Sequence, residues 1–304
     1  MKLNKNSYMF DMILFELQDV VGKDYVSTKD ADKEVYSIDY FWVSELWHDK
    51  QADWNISSPQ ADFIVHPSNA EEVSKVIKIA NNYKIPVTTW GGGSGSQGGA
   101  LSVFGGIIID TKRMNKIYKI DENSMIVEVG TGIIQYILES ELEQKGFSTM
   151  HDPASSRCAT VGGFIAHRGT GVLSTKYGKI EDMIINMEVV LPNGEIINTL
   201  PVPKTACGPD LNHIFIGSEG TLGIVTKVTL TIHRLPETRK FKAFLFKNLS
   251  AGLRVGQRLL ADNLQPLVIR LYSENETKDV VKRVLGVEKE GAYMVIGFDG
   301  KEEM

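Results

Sequence analysis

The chain has 304 residues, 42% of them hydrophobic and 23% charged, which is enough to bury a substantial core in two domains or one large one. Lys and Arg total 33 against 38 Asp and Glu, and the net charge of −5 gives no basic footprint, which sets nucleic acid aside as a partner. The only cysteines, Cys158 and Cys207, build neither a disulfide framework nor a zinc knuckle, and no apolar run could span a bilayer; the expectation is a soluble cytoplasmic protein, with peripheral membrane contact left open.

Near the start, Phe10, Ile13, Leu14, Leu17, Val20 and Val21 recur at helical spacing. Acidic residues hold the opposite face and no Lys or Arg cluster accompanies them, so the stripe reads as core packing rather than a membrane-surface helix. An aromatic stretch follows, with Tyr40, Phe41, Trp42, Trp47 and Trp54; it could line a substrate or lipid tunnel, but packing is the safer reading. A short apolar strand over 63–66 precedes Ser68 and Glu71, spaced as a capping box. Val73, Val76, Ile77 and Ala80 then share a helix face, and a strand over 86–89 completes a strand–helix–strand unit.

Short strands are expected over 106–110, 116–120 and 124–130, then a helix over 133–145 closed by Gly146. Residues 184–199 read as a β-hairpin turning at Pro192-Asn193-Gly194, and 223–233 as a strand ending before Pro236. Beyond Arg239 the texture becomes a strand–helix series: strands over 241–246, 267–272 and 292–299, helices over 251–261 and 278–285. That region reads as a separate domain only begun.

The densest chemical signal follows the strand ending at Trp90: Gly91, Gly92, Gly93, Ser94, Gly95, Ser96, Gln97, Gly98 and Gly99. Glycine at this density suits a backbone that must turn tightly or approach another group, and successive amides can cradle a pyrophosphate. Gly93, Gly95 and Gly98 have dinucleotide spacing, but the next ten residues lack helical periodicity, which removes a Rossmann site; no Gly-Lys-Ser or Gly-Lys-Thr follows, which removes a P-loop. Taken alone, the loop reads equally as a flexible surface loop or a phosphate cradle. Two further small-residue segments, 153–163 and 217–225, shift the balance toward a cradle.

These three segments, with Tyr177-Gly178-Lys179-Ile180-Glu181-Asp182 and Gly208-Pro209-Asp210, resemble the FAD-binding domain of the vanillyl-alcohol-oxidase superfamily. Residues 153–160 resemble its glycolate oxidase and D-lactate dehydrogenase branch, and 174–182 and 208–234 its alkylglycerone-phosphate synthases. The resemblance implies an α+β fold: a two-subdomain FAD domain of the p-cresol methylhydroxylase (PCMH) type over 61–238, after a helical and aromatic extension over 1–60. The start of an α/β ferredoxin-like cap, incomplete, would occupy 239–304.

It also implies a pyrophosphate held by amides of Thr89, Trp90 and residues 91–99, with Ser94 and Gly95 closest. Ala154, Ser155, Ser156, Arg157, Cys158, Ala159, Thr160, Gly162 and Gly163 would line the rest of the cofactor. So would His167, Arg168, Gly169 and Thr170, and then Glu219, Gly220, Thr221, Leu222, Gly223, Ile224 and Val225. Ser94 stands where covalently flavinylated relatives carry histidine, so dissociable FAD is expected.

Arg270 is a charge inside an apolar strand; its bland reading is a structural ion pair at a domain junction. The resemblance puts it where synthases carry an arginine beside flavin and substrate, which makes it the catalytic candidate. The six histidines lack metal-ligand spacing and read as surface or structural residues; His151 beside Asp152 could be a base, but its neighbours align with a cofactor loop. Cys158 reads as small-residue packing, Cys207 as a loop residue, and Glu181 with Asp182 as capping groups.

Three functions remain open: a dehydrogenase of 2-hydroxy acids using an acceptor other than NAD, a synthase using FAD without net oxidation, or an FAD-binding fragment or subunit inactive alone. The expected partners are a small-molecule substrate (a hydroxy acid or an acyl-glycerone phosphate), an electron acceptor, a second copy in a homodimer, and a second subunit or missing C-terminal cap that completes the site.

Overall fold

A computed structural model describes residues 7–41, 60–286 and 288–302. Trp42, Trp47, Trp54 and His48 lie outside the described residues.

The first layer comprises α1 (Tyr8–Val21), β1 (Val26–Ser27), α2 (Asp30–Val35), β2 (Phe63–Val65), α3 (Ala70–Tyr83), β3 (Val87–Trp90) and β4 (Ile107–Asp110). Its sheet runs β1-β2-β4-β3, with β2 and β3 parallel to the central β4. The unbroken apolar runs of β2 and β4 make sense in strands covered on both faces. Phe63, Val65, Ile107 and Ile109 meet Phe10, Ile13 and Leu17 of α1 and Val73 and Val76 of α3, while Ile64 and Ile108 face Trp90 on the other side. The α1 stripe is thus core.

The helix α3 starts one residue later than the Ser68–Glu71 spacing suggests. Asn69 is the N-cap, its side-chain oxygen accepting from Glu72 N at 2.8 Å. The Glu72 carboxylate takes both Ser68 N–H (2.7 Å) and Ser68 O–H (2.8 Å). Consecutive Ser-Asn and Glu-Glu pairs satisfy the spacing in two registers, and the one in which Glu72 binds both Ser68 donors is adopted.

The second layer holds β5 (Ile117–Asp121), β6 (Ile126–Gly130), α4 (Gln135–Glu143), β7 (Phe147–Ser148), α5 (Val161–His167), α6 (Ser174–Tyr177) and α7 (Ile180–Met183). It continues with β8 (Ile184–Val190), β9 (Ile196–Asn198), α8 (Asn212–Phe215), β10 (Ile224–Thr231) and β11 (His233–Arg234). Its antiparallel sheet runs β5-β6-β10-β8-β9. Alternate residues Val127, Val129, Met187, Val189, Val228 and Leu230 pack under Leu138, Leu142, Phe164 and Ile165. The expected β8–β9 hairpin is present, Gly194 taking φ +83° in its turn. Asp182 accepts from Lys179 N at 2.8 Å, which caps α7.

The last part is β12 (Thr238–Phe246), α9 (Leu249–Ala261), β13 (Val268–Tyr272), α10 (Glu274–Leu285) and β14 (Ala292–Gly300). Here β14 lies antiparallel between β12 and β13, a split β-α-β arrangement. Helix α10 begins four residues ahead of the apolar periodicity, because Ser273 caps it and the Glu276 carboxylate accepts Ser273 N–H at 2.9 Å.

Candidate functional site

A cavity of about 410 Å3 opens between the two layers. On the first-layer side it meets the carboxyl ends of β3 and β4, through Trp90 and Thr111, the end at which open parallel sheets take their ligands. Of the glycine-rich segment, Thr89, Trp90, Gly91, Gly92, Gly93, Ser94, Gly95, Ser96 and Gln97 line it. Gly98 does not: it adopts φ +76°, and a Cβ there would meet Phe41.

Two contacts show why this loop tolerates so little side chain. A Cβ on Gly91 would stand 2.4 Å from Thr160 Oγ1, and one on Gly92 would stand 2.1 Å from the Cys158 carbonyl oxygen. The loop therefore lies backbone to backbone against 158–160. At Gly95 a Cβ would meet nothing within 4 Å, so that stretch faces open space. From the N-terminal side, Tyr40 N–H donates to Gly93 O at 2.9 Å. Beneath the loop, Asp110 is fully buried and accepts from Tyr36 OH (2.5 Å); Lys112 Nζ lies 2.6 Å from the same oxygen and 3.4 Å from Gly91 O. Burial first, and Asp110 second, raise the Tyr36 phenol far above its ordinary value.

The second segment contributes Ser155, Ala159, Thr160, Gly162, Gly163 and, past Ala166, His167. Ala154, Ser156, Arg157 and Cys158 are set back from the wall. Arg157 lies over the Tyr136 ring at 5.7 Å, and Cys158 is exposed rather than packed as the sequence suggests, because its backbone, not its side chain, closes against Gly92. Arg168, Gly169 and Thr170 also lie behind the wall: Arg168 Nε donates to Ile216 O (3.2 Å) and Gly169 N to Phe164 O (2.8 Å), which terminates α5. From the third segment Glu219, Gly220, Gly223, Ile224 and Val225 line the cavity, whereas Thr221 serves an adjoining cavity of about 380 Å3 and Leu222 is exposed. Sequence reasoning missed Thr111, Thr131, Phe215 and Ser218 as wall residues.

Among the described residues, neither lysine nor arginine lines the cavity. Around Trp90, His167, Phe215 and Glu219 its wall is mostly small residues, hydroxyls and backbone, which fits a dinucleotide gripped by peptide N–H groups rather than by salt bridges. Both cavities share Thr89, Gly99, Glu219, Gly220, Gly223 and Ile224, a common wall along which one elongated ligand can thread both.

Arg270 lies elsewhere. It is exposed on β13, its guanidinium 5.0 Å from the Tyr272 ring centre. The neighbouring Leu271 meets Gly252 of α9, so Arg270 stands on the opposite sheet face, the one on which Asp299 meets Lys176 and Tyr177 of α6. The buried ion pair expected at the junction is formed instead around Asp299, by Lys176 and Arg239.

A two-layer α+β fold with a backbone-lined cavity between its layers defines a flavoprotein of the dinucleotide-cradling type. Residues 61–200 match the family model described as FAD binding domain. The chain is 33% identical over 266 residues to the uncharacterised FAD-linked oxidoreductase YgcU of Escherichia coli (strain K12), covering 87% of this chain and 54% of that one. It is 34% identical over 268 residues to a D-lactate dehydrogenase of Anaerostipes hadrus, covering 85% and 56%. A solved alkyldihydroxyacetonephosphate synthase superposes with a TM-score of 0.83 at 27% identity, over 96% of this chain and 56% of that one. The chain carries an FAD binding domain like that of FAD-linked oxidoreductases, with FAD as its cofactor. It spans about half the length of the curated relatives it matches.

Proposed function

We propose that the protein dehydrogenates a 2-hydroxy acid and passes the electrons to an acceptor other than NAD. The observation carrying this reading is the cavity itself: three small-residue segments, far apart in sequence, converge on one wall that, among the described residues, holds no lysine or arginine. Similarity to a D-lactate dehydrogenase and to a glycolate oxidase subunit supports the substrate class. FAD, when bound, supplies the two-electron acceptor for the hydrogen on the substrate's carbinol carbon. The chain's own residues hold and orient: amides of 91–97, 219–220 and 223–225 grip the dinucleotide. Arg270, on the open sheet face, pairs with the substrate carboxylate. No histidine occupies position 94, and FAD is held without a covalent bond.

The synthase reading rests on a different observation, the 0.83 TM-score to a solved alkyldihydroxyacetonephosphate synthase. One experiment separates the two. The visible spectrum of the purified chain is recorded before and after acid precipitation, then D-lactate and glycolate are added without oxygen. Flavin in the supernatant establishes dissociable FAD, and bleaching by a hydroxy acid alone establishes dehydrogenation. A yellow protein that neither acid bleaches turns the assignment to the synthase; a colourless one that takes up no FAD refutes both.

A further inference from the structure

The flavin-binding layers and the β12–β14–β13 sheet are joined covalently only through residues 235–237, between β11 and β12. One polar cluster spans the same junction. The Asp299 side chain, on β14, is wholly shielded from solvent. Its Oδ1 accepts from Lys176 Nζ at 2.5 Å and its Oδ2 from Tyr177 OH at 3.0 Å, while its backbone carbonyl takes a second bond from Lys176 Nζ at 3.0 Å. Arg239, its cross-strand neighbour on β12, holds Nε 3.6 Å from Oδ2 and reaches Met150 Sδ of the flavin-binding part at 3.3 Å. The Tyr177 ring packs on His233, centroids 4.9 Å apart.

This cluster differs from a surface ion pair in three ways. Asp299 sits in the last stretch of β14, on the face turned away from α9 and covered there by Lys176 and Tyr177, so it owes its burial to the docked position; undocked, it would regain water. A carboxylate without water needs its donors, and removing one leaves an uncompensated buried charge. Lys176 bonds two acceptors on one residue, which fixes direction as well as distance. Finally, Lys176 and Tyr177 follow the cavity wall within ten residues of His167. Hydrogen bonds tie that interval down: Gly171 N to Ser174 Oγ (3.0 Å), Val172 N to Asp152 O (2.9 Å) and Ile180 N to Gly169 O (3.3 Å).

We propose that Lys176, Tyr177, Arg239 and Asp299 form the joint that sets the pose of the β12–β14–β13 sheet against the flavin-binding layers, and that FAD in the cavity tightens it through residues 167–177. They are positioning residues, acting through the sheet that carries Arg270. The proposal rests on the reading that the cavity binds FAD.

Amide hydrogen exchange of the full chain, with and without FAD, tests it. In the unmodified chain FAD slows exchange in 89–99 and 167–177 and also, roughly tenfold, at the adjoining ends of β12 and β14. In Asp299→Asn the slowing of 89–99 persists and that of β12 and β14 is lost; Lys176→Arg, which keeps the charge, retains it. If Asp299→Asn does not fold, Tyr177→Phe serves, removing one donor and reducing the β12 and β14 effect severalfold. Protection of 89–99 without any response in β12 or β14 overturns the joint while leaving FAD binding intact. So does an undiminished response in Asp299→Asn, or in Tyr177→Phe where that variant serves. No protection at 89–99 overturns the FAD reading and the joint together.

Discussion

Replacing His151 by leucine should change how stability depends on pH more than stability itself. The side chain is 2% exposed, its ring meets Phe164 edge-on at 4.8 Å, and neither ring nitrogen has a hydrogen-bond partner among the described residues. Burial first, and His167 second, lower the imidazole from its ordinary 6.5 to about 4. Because the folded value is the lower one, the unfolded chain binds the proton more readily. The contribution is complete above about pH 6.5 and lost as pH falls toward about 4. That lowering, at about 1.4 kcal/mol per pH unit, amounts to about 3–4 kcal/mol. The assay is urea unfolding at pH 7.5, 5.5 and 4.5, followed by circular dichroism. At pH 7.5 His151→Leu should match or exceed the parent, since an unpaired polar ring gives way to an apolar side chain. Between 6.5 and 4 the parent should lose up to about 1.4 kcal/mol per pH unit more than the variant. His66 and His233, also lowered chiefly by burial, tilt both curves alike. Parallel curves would refute the reasoning.

Gly92→Ala should destabilise the apoprotein by roughly 1–3 kcal/mol, because its Cβ would meet the Cys158 carbonyl. Gly95→Ala should leave apo stability within about 0.5 kcal/mol and weaken FAD binding; fluorescence titration beside thermal melts distinguishes them, and equal melts for both would contradict the loop geometry. Asn69→Ala should cost about 1 kcal/mol through loss of the α3 cap, read as a lower urea midpoint at constant slope. Arg270→Ala should raise KM for a hydroxy acid at least tenfold without altering FAD affinity; an unchanged KM would remove Arg270 from substrate recognition.

Much of this arrangement could be read locally. The runs Phe63–Val65 and Ile107–Asp110 announce buried strands, and Pro192-Asn193-Gly194 announces a hairpin, because each depends on neighbours in sequence. Glycine density likewise exposed the cradle. Thr111 and Thr131 were invisible because each reaches the wall from just beyond a strand end, a position set by how the two sheets face each other. Arg270 misled for a related reason: an apolar strand suggests burial, but β13 is an edge strand, and on its face turned away from α9 the guanidinium stays in water. The start of α10 was missed because its first turn is charged, although Ser273 and Glu276 had the capping spacing.

The backbone-built cavity has a consequence for how such a protein can diversify. Peptide groups are common to every sequence, so a cofactor grip made from them constrains little beyond small side chains at the points of contact. Among the described residues, the sheet of β12, β13 and β14 contributes nothing to that wall. Holding the cofactor is thus entrusted to a limited stretch of chain, and a lineage can alter the remainder without rebuilding its grip on the flavin.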